Sequence, residues 1–131
     1  SELLTSAWPE QCSNVTCHEI SRNHVLVSQE VPATQLRPGG YISGPMQFTM
    51  ADLGMWCAVW GVLDRFEPMA LTSELSIRFL RPAIGRVLWT RVDVNSVSGR
   101  SIISTATVWV DGQDITRPSS VAQGTYVLPR S

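Results

Sequence analysis

The stretch that decides the fold is Pro45-Met46-Gln47-Phe48-Thr49-Met50-Ala51-Asp52-Leu53-Gly54-Met55-Trp56-Cys57-Ala58-Val59-Trp60-Gly61-Val62-Leu63. Its 19 residues hold one charge, Asp52. Proline suits the first helical position, and Gly44 or Ser43 before it supplies a cap. Apolar residues then fall on nearly every face of the helix: Met46, Phe48, Met50, Leu53, Met55, Trp56, Val59, Trp60, Val62 and Leu63. A helix apolar all round is either buried or spans a membrane. The length just suffices for a bilayer. An acid near the middle, two interior glycines and the patterns on either side favour a buried core helix.

Outward from that helix, the chain alternates as strands. Upstream, residues 2–10 suggest a short helical turn ending at Trp8-Pro9. Val15 to Ile20 and His24 to Val31 follow as strands, the second with Val25, Val27 and Val31 on alternate positions. A glycine- and proline-punctuated loop, residues 37–45, leads into the helix. Downstream, Leu75, Ile77 and Phe79 oppose Glu74, Ser76 and Arg78, and Val92 and Val94 oppose Arg91, Asp93 and Asn95 between Val87 and Val97. Ser98-Gly99 forms a hairpin turn, Ser101 to Val110 returns, and a last strand runs from about Ser119 to Leu128. The plan is α+β, a mostly antiparallel sheet wrapped around one long buried helix. A curled sheet covers most of such a helix, and a partner subunit can cover the remainder.

Composition bounds the function. With 131 residues, 44% hydrophobic and 16% charged, the chain is expected to be one globular domain over residues 1–131. The net charge is −1 and no basic stripe exists, which argues against nucleic-acid or anionic-membrane partners. All ten basic residues are arginine. Lysine Schiff-base and lysine-base chemistry are therefore excluded, and any phosphate must be met by arginine or backbone N–H groups. Three cysteines without a repeating framework point to reduced thiols and a cytoplasmic protein. Cys12, Cys17, His18 and His24 fit no zinc spacing well, so no metal is expected.

Asp52 is the most informative residue. It lies two turns inside the helix, where it cannot serve as a cap. A buried carboxylate needs a partner or a changed pKa. That leaves an ion pair with one of the arginines, a partly wet helix edge, or a functional acid in an apolar cleft acting as base or nucleophile. The loop ending at Gly44 is the second candidate, because backbone N–H groups at a helix start point outward and favour an oxygen gaining negative charge. Gly44 and Asp52 are eight residues apart, about 12 Å along a helix. One chain's pair cannot reach the same carbon, so a catalytic reading demands two helices in a dimer with composite sites.

Arg37-Pro38-Gly39-Gly40-Tyr41-Ile42-Ser43-Gly44-Pro45 followed by Met50-Ala51-Asp52 resembles the PaaI-type hotdog-fold acyl-CoA thioesterases. Leu75-Ser76-Ile77-Arg78-Phe79-Leu80-Arg81-Pro82-Ala83 and Gly124-Thr125-Tyr126-Val127-Leu128-Pro129 extend the likeness across roughly residues 24 to 129. The resemblance implies a hotdog fold with its core over 23–129, residues 1–22 being an N-terminal extension with the first short strand. It also implies that Asp52 is the catalytic helix acid, that the Gly44 N–H polarises the thioester carbonyl and that Thr72 assists the attacking water. Homodimers paired into a tetramer follow from it too. Many members have His-Gly where this chain has Ser43-Gly44, and Asn where it has Arg37.

The expected reaction is hydrolysis of an acyl-CoA thioester without a separate cofactor, coenzyme A being part of the substrate. Asp52 would either activate water or attack to form a mixed anhydride. Ser43 and Gly40 of the loop are candidate substrate contacts. Arg37, Arg81 and Arg100 are candidates for the coenzyme A phosphates. Met46 and Trp56, with Met50, Met55 and Trp60, are candidates for an apolar acyl pocket or plain core. A silent acyl-CoA binding protein on the same scaffold is the alternative, and a hydratase, which would need a histidine on the helix, is weaker.

Overall fold

The computed structural model describes residues 14–130. The expected turn over residues 2–10 and Cys12 lie outside the described residues. The remainder forms eight strands and one α-helix. Strands β1 (Val15–Ile20) and β2 (His24–Glu30) precede a 3-10 turn (Ala33–Gln35) and the two short strands β3 (Leu36–Arg37) and β4 (Tyr41–Ile42). Helix α1 (Gly44–Leu63) follows, and then β5 (Leu71–Phe79), β6 (Val87–Ser98), β7 (Ser101–Val110) and β8 (Ser120–Val127).

Six strands make one antiparallel sheet in the order β1-β2-β6-β7-β8-β5. Strand β1, grouped by sequence with the N-terminal extension, pairs along β2 as part of this sheet. The sheet curls around α1, which touches β1, β2, β5, β6, β7 and β8. This is the hotdog arrangement. The stretch expected as a plain loop before the helix contains instead a small ribbon, with Leu36 opposite Ile42 and Arg37 opposite Tyr41. Gly39 and Gly40 turn it with positive φ values of 90° and 79°, a region that favours glycine.

Helix α1 begins at Gly44, one residue earlier than the proline suggests. Ser43 is the cap: its hydroxyl accepts from the Met46 N–H at 3.2 Å and donates to Gln35 Oε1 at 2.9 Å. The helix ends where Asp64 turns left-handed at φ 54° and its N–H returns to the Gly61 carbonyl. Along its inner side Met50, Ala51, Gly54, Met55 and Ala58 are buried against the sheet.

Two glycines allow that close approach. A Cβ on Gly54 would stand 2.8 Å from Val92 Cγ2, and one on Gly124 of β8 would stand 2.7 Å from Met55 Sδ. The helix is not covered all round, however. Pro45, Phe48 and Thr49 are exposed, and Asp52, Leu53 and Trp56 are half-buried. None of the described helices is long and apolar enough to cross a membrane.

Candidate active site

The uncovered stripe of α1 lies beside β5, the edge strand of the sheet. β5 is bonded to β8 on one side and, among the described residues, to no strand on the other. It starts at Leu71, earlier than the alternation around Leu75 indicates, so Thr72 lies in the strand. The register sets Thr72 directly opposite Tyr126 of β8. Side chains of such a cross-strand pair are neighbours. Both reach the same atom: Thr72 Oγ1 donates to Asp52 Oδ1 at 2.8 Å, and the Tyr126 hydroxyl donates to Asp52 Oδ1 at 2.7 Å. The Tyr126 oxygen is also 3.1 Å from the Asp52 backbone carbonyl.

Asp52 therefore has neutral hydroxyl partners. Among the described residues no arginine forms an ion pair with it, which removes that reading, and the half-buried Asp52 stands at a partly open helix edge. Its Oδ2 receives no hydrogen bond from any described residue. Burial pushes the Tyr126 phenol well above its ordinary pKa of 10.0. The Thr72 hydroxyl works against that, and the hydrogen bond and negative charge of Asp52 reinforce it. The phenol accordingly stays protonated, and a donor, through the neutral range.

Gly44 opens the helix two turns before Asp52, half-buried. Its N–H is one of the unpaired donors of a helix start and meets no acceptor among the described residues. Gly44, Pro45, Phe48, Thr49, Ile77 and Phe79 line an open cleft of about 520 Å³. Phe79 closes over the glycine, since a Cβ on Gly44 would stand 3.2 Å from Phe79 Cζ. An uncommitted N–H at the floor of an apolar cleft suits a polarised carbonyl oxygen.

The structure thus brings Asp52 and Thr72 together, adds Tyr126 to them, and keeps Gly44 apart at the helix start. The other candidates scatter. The Ser43 hydroxyl is committed to the cap and to Gln35. Met46, Met50, Met55 and Trp60 are buried in the core, and Met46 is not among the residues that line the cleft. Trp56 is half-buried with its ring 4.7 Å from that of Trp60.

Gly40 turns the β3–β4 ribbon, where Arg37 is exposed. The Arg81 guanidinium donates to the Pro118 carbonyl at 2.6 Å, beyond the Phe79 end of β5. Arg100 is exposed in the β6–β7 hairpin and donates to the Leu128 carbonyl at 3.1 Å, towards the Tyr126 end. His18 bonds Ser28 and stacks on Trp89, and His24 bonds Glu19, so neither reaches Asp52.

Tyr126 went unread in the sequence because it alternates with Ala122 and Gly124 on the inner face of its strand, as a core residue would. The signal was its hydroxyl: a buried tyrosine needs a hydrogen-bond partner.

Residues 39–116 match the thioesterase superfamily, well over half of the chain. No curated protein matches the chain. Similar solved structures include a thioesterase candidate from a Silicibacter species, with a TM-score of 0.80, 24% identity, and coverage of 98% of this chain and 88% of that one. The Escherichia coli PaaI protein of the phenylacetic acid degradation operon has a TM-score of 0.79 and 15% identity, covering 99% of this chain and 91% of that one. A hypothetical thioesterase from Streptococcus pneumoniae, solved with coenzyme A, has a TM-score of 0.75 and 19% identity, covering 91% and 90%. At these identities the likeness establishes the shared fold.

Proposed function

Because the chain belongs to the thioesterase superfamily, we propose that it hydrolyses an acyl-CoA thioester to free acid and coenzyme A, with Asp52 as its catalytic acid residue. The observation that carries this reading is a carboxylate half-buried on the central helix, held on one oxygen by two hydroxyls and, among the described residues, met by no cation and by no donor on the other oxygen. A carboxylate held this way serves poorly as a structural tie and well as a base or nucleophile. The coenzyme A found with the Streptococcus pneumoniae relative supports the substrate class.

The reaction follows from these groups. The substrate carbonyl oxygen rests on the Gly44 N–H at the positive end of the helix. On the base route, Asp52 takes a proton from water as the water oxygen bonds to the carbonyl carbon. The C–S bond then breaks, and the proton passes to the departing thiolate. On the nucleophile route, the carboxylate attacks the same carbon, thiolate leaves, and water cleaves the resulting anhydride. Both routes use the same oxygen of Asp52. The coenzyme A phosphates fall to arginine, with exposed Arg37 and Arg100 the most accessible of the three candidates and Arg81 the third.

The site is shared between subunits. β5 offers a free edge over Leu71–Phe79, with Leu71 67% and Phe79 52% exposed. Free edges of this kind invite pairing with a second strand. Two such edges paired antiparallel about Leu75 set Leu71 of one subunit against Phe79 of the other. Phe79 lies against Gly44 and Leu71 adjoins Thr72, so this pairing sets the Gly44 of one subunit towards the Asp52 of its partner, an approach that the spacing along one helix denies to a single chain. A homodimer with two composite sites results, and two such dimers make the tetramer.

The test is free-thiol release from short, medium and aryl acyl-CoAs by wild type and Asp52→Ala. Turnover by wild type that falls on the order of 10² or more in the variant is the expected outcome. Binding of acyl-CoA by both proteins in calorimetry without turnover by either would instead make the chain a silent binding protein.

A further inference from the structure

We propose that Tyr126 is a positioning residue that, together with Thr72, locks Oδ1 of Asp52 and so leaves Oδ2 as the oxygen that does the chemistry. The inference rests on the thioesterase reading above and adds to it a residue and a division of labour within one carboxylate. Three observations carry it.

The first is convergence. Two hydroxyls on adjacent strands donate to one oxygen of the same carboxylate, at 2.7 and 2.8 Å, while the other oxygen has no donor among the described residues. Hydrogen bonds from neutral hydroxyls to an ionised oxygen are short and strong at these separations. They occupy the Oδ1 lone pairs and stop rotation of the carboxylate. Without them the carboxylate plane would turn about its C–C bond, and many of its orientations would aim neither oxygen at the substrate.

The second is the proton on Tyr126. A phenol has one hydrogen, and two acceptors lie within reach, Asp52 Oδ1 at 2.7 Å and the Asp52 carbonyl at 3.1 Å. The shorter contact to the ionised oxygen takes the hydrogen. The phenol holds it firmly, since burial disfavours the phenolate. The Tyr126 hydroxyl is therefore a donor to Oδ1, and Oδ2 is the oxygen left open to take up a proton.

The third is rigidity. Tyr126 is 5% exposed, set in β8 between β5 and β7, with Gly124 two residues before it bringing Met55 against the strand. Thr72 is exposed at the beginning of an edge strand, beside a register shift between Thr72 and Glu74. The buried donor supplies the fixed point, and the edge donor completes the lock.

The experiment is steady-state thiol release by wild type, Tyr126→Phe, Asp52→Ala and the double variant, with Thr72→Ala as an independent removal of the second donor. Phenylalanine keeps the ring and its packing. In Tyr126→Phe the expected result is a fall in kcat of about tenfold with KM unchanged, the loss of one hydrogen bond to a charged acceptor. In the Asp52→Ala background the same change is expected to cost nothing further, because Tyr126 acts only through Asp52. A merely structural role would lower both backgrounds alike.

Thr72→Ala is expected to lower kcat in the same sense. Wild-type kcat retained by Tyr126→Phe, or an undiminished loss in the double variant, overturns the inference while leaving the thioesterase reading intact. Full activity in Asp52→Ala overturns both.

Discussion

The two sides of helix α1 are built on opposite terms. On the inner side Met50, Ala51, Gly54, Met55 and Ala58 are buried, and the space is so fully used that Gly54 has no room for a methyl group beside Val92. On the outer side Phe48 and Thr49 are exposed, Asp52 and Trp56 are half-buried, and an open cleft runs along β5. Interior packing tolerates neither voids nor additional volume. The inner side therefore determines that the helix is held, and the outer side is free to carry chemistry. The carboxylate sits where the two terms meet, on the uncovered stripe but tied to hydroxyls from the sheet.

The largest effect that would sharpen this contrast comes from Phe79→Arg. Phe79 is 52% exposed on β5 and contributes to the outer side alone. The change is expected to leave the circular dichroism of the subunit unaltered, to give a monomer by sedimentation, and to cut kcat on the order of 10², as for loss of an oxyanion donor. A monomeric variant with full activity would break the contrast, because the outer side would then carry a complete site without a second subunit.

Gly54→Val probes the other side. Its Cβ would stand 2.8 Å from Val92 Cγ2 and 3.0 Å from Thr90 Cγ2, so helix and sheet must separate. Overpacking of this kind is expected to lower the unfolding free energy by about 1–3 kcal/mol in urea titration. Activity per folded molecule is expected to hold. A stable Gly54→Val protein with reduced kcat would show that the inner side also shapes the site.

Most of the fold was legible because its signals are local. The 19-residue run with one charge announced the helix, and the alternation from Val87 to Val97 and from Ser101 to Val110 located β6 and β7 within a residue of their observed ends. The β3–β4 ribbon was missed, since two-residue strands leave no periodicity to find. The start of β5 was also missed. Leu71-Thr72-Ser73 is exposed throughout, and exposure on both faces erases the alternation that marks a strand.

Legibility at the site divides differently. Asp52 stood out as a charge in an apolar run, which any sequence displays. Thr72 came only through the family resemblance and Tyr126 not at all, because their meeting is defined by register: they are 54 positions apart and adjoin only because β5 lies against β8. Ser43 reads both as a cap and as a ligand contact, since both roles favour a small hydroxyl before a helix, and the structure shows it as the cap. Met46, read as pocket wall or plain core, is buried in the core, since an apolar residue on a helix announces burial without saying against what.

The smallest expected effect tests whether Tyr126 truly belongs to the packed side while serving the open one. Burial raises its phenol pKa above the 10.0 of an exposed tyrosine; the neighbouring Thr72 hydroxyl lowers it somewhat, and Asp52 raises it again. In the unfolded chain the phenol ionises near its ordinary pKa, whereas in the folded chain it keeps its proton to higher pH. Above pH 10 the folded state thus binds more protons than the unfolded one, and stability falls as pH rises. The contribution is fully present below that pH and is lost progressively above it. Urea unfolding at pH ~9 and ~11 should therefore show a larger loss of stability in wild type than in Tyr126→Phe. Cys17, whose thiol is also pushed up by burial from 9.0, adds a loss of the same sign that remains in the variant. An equal loss in both proteins would mean that the Tyr126 hydroxyl ionises freely in the folded state. A phenol that accessible could not hold Oδ1 of Asp52, and the boundary between the two sides of the helix would have to be redrawn on the inner side of the carboxylate.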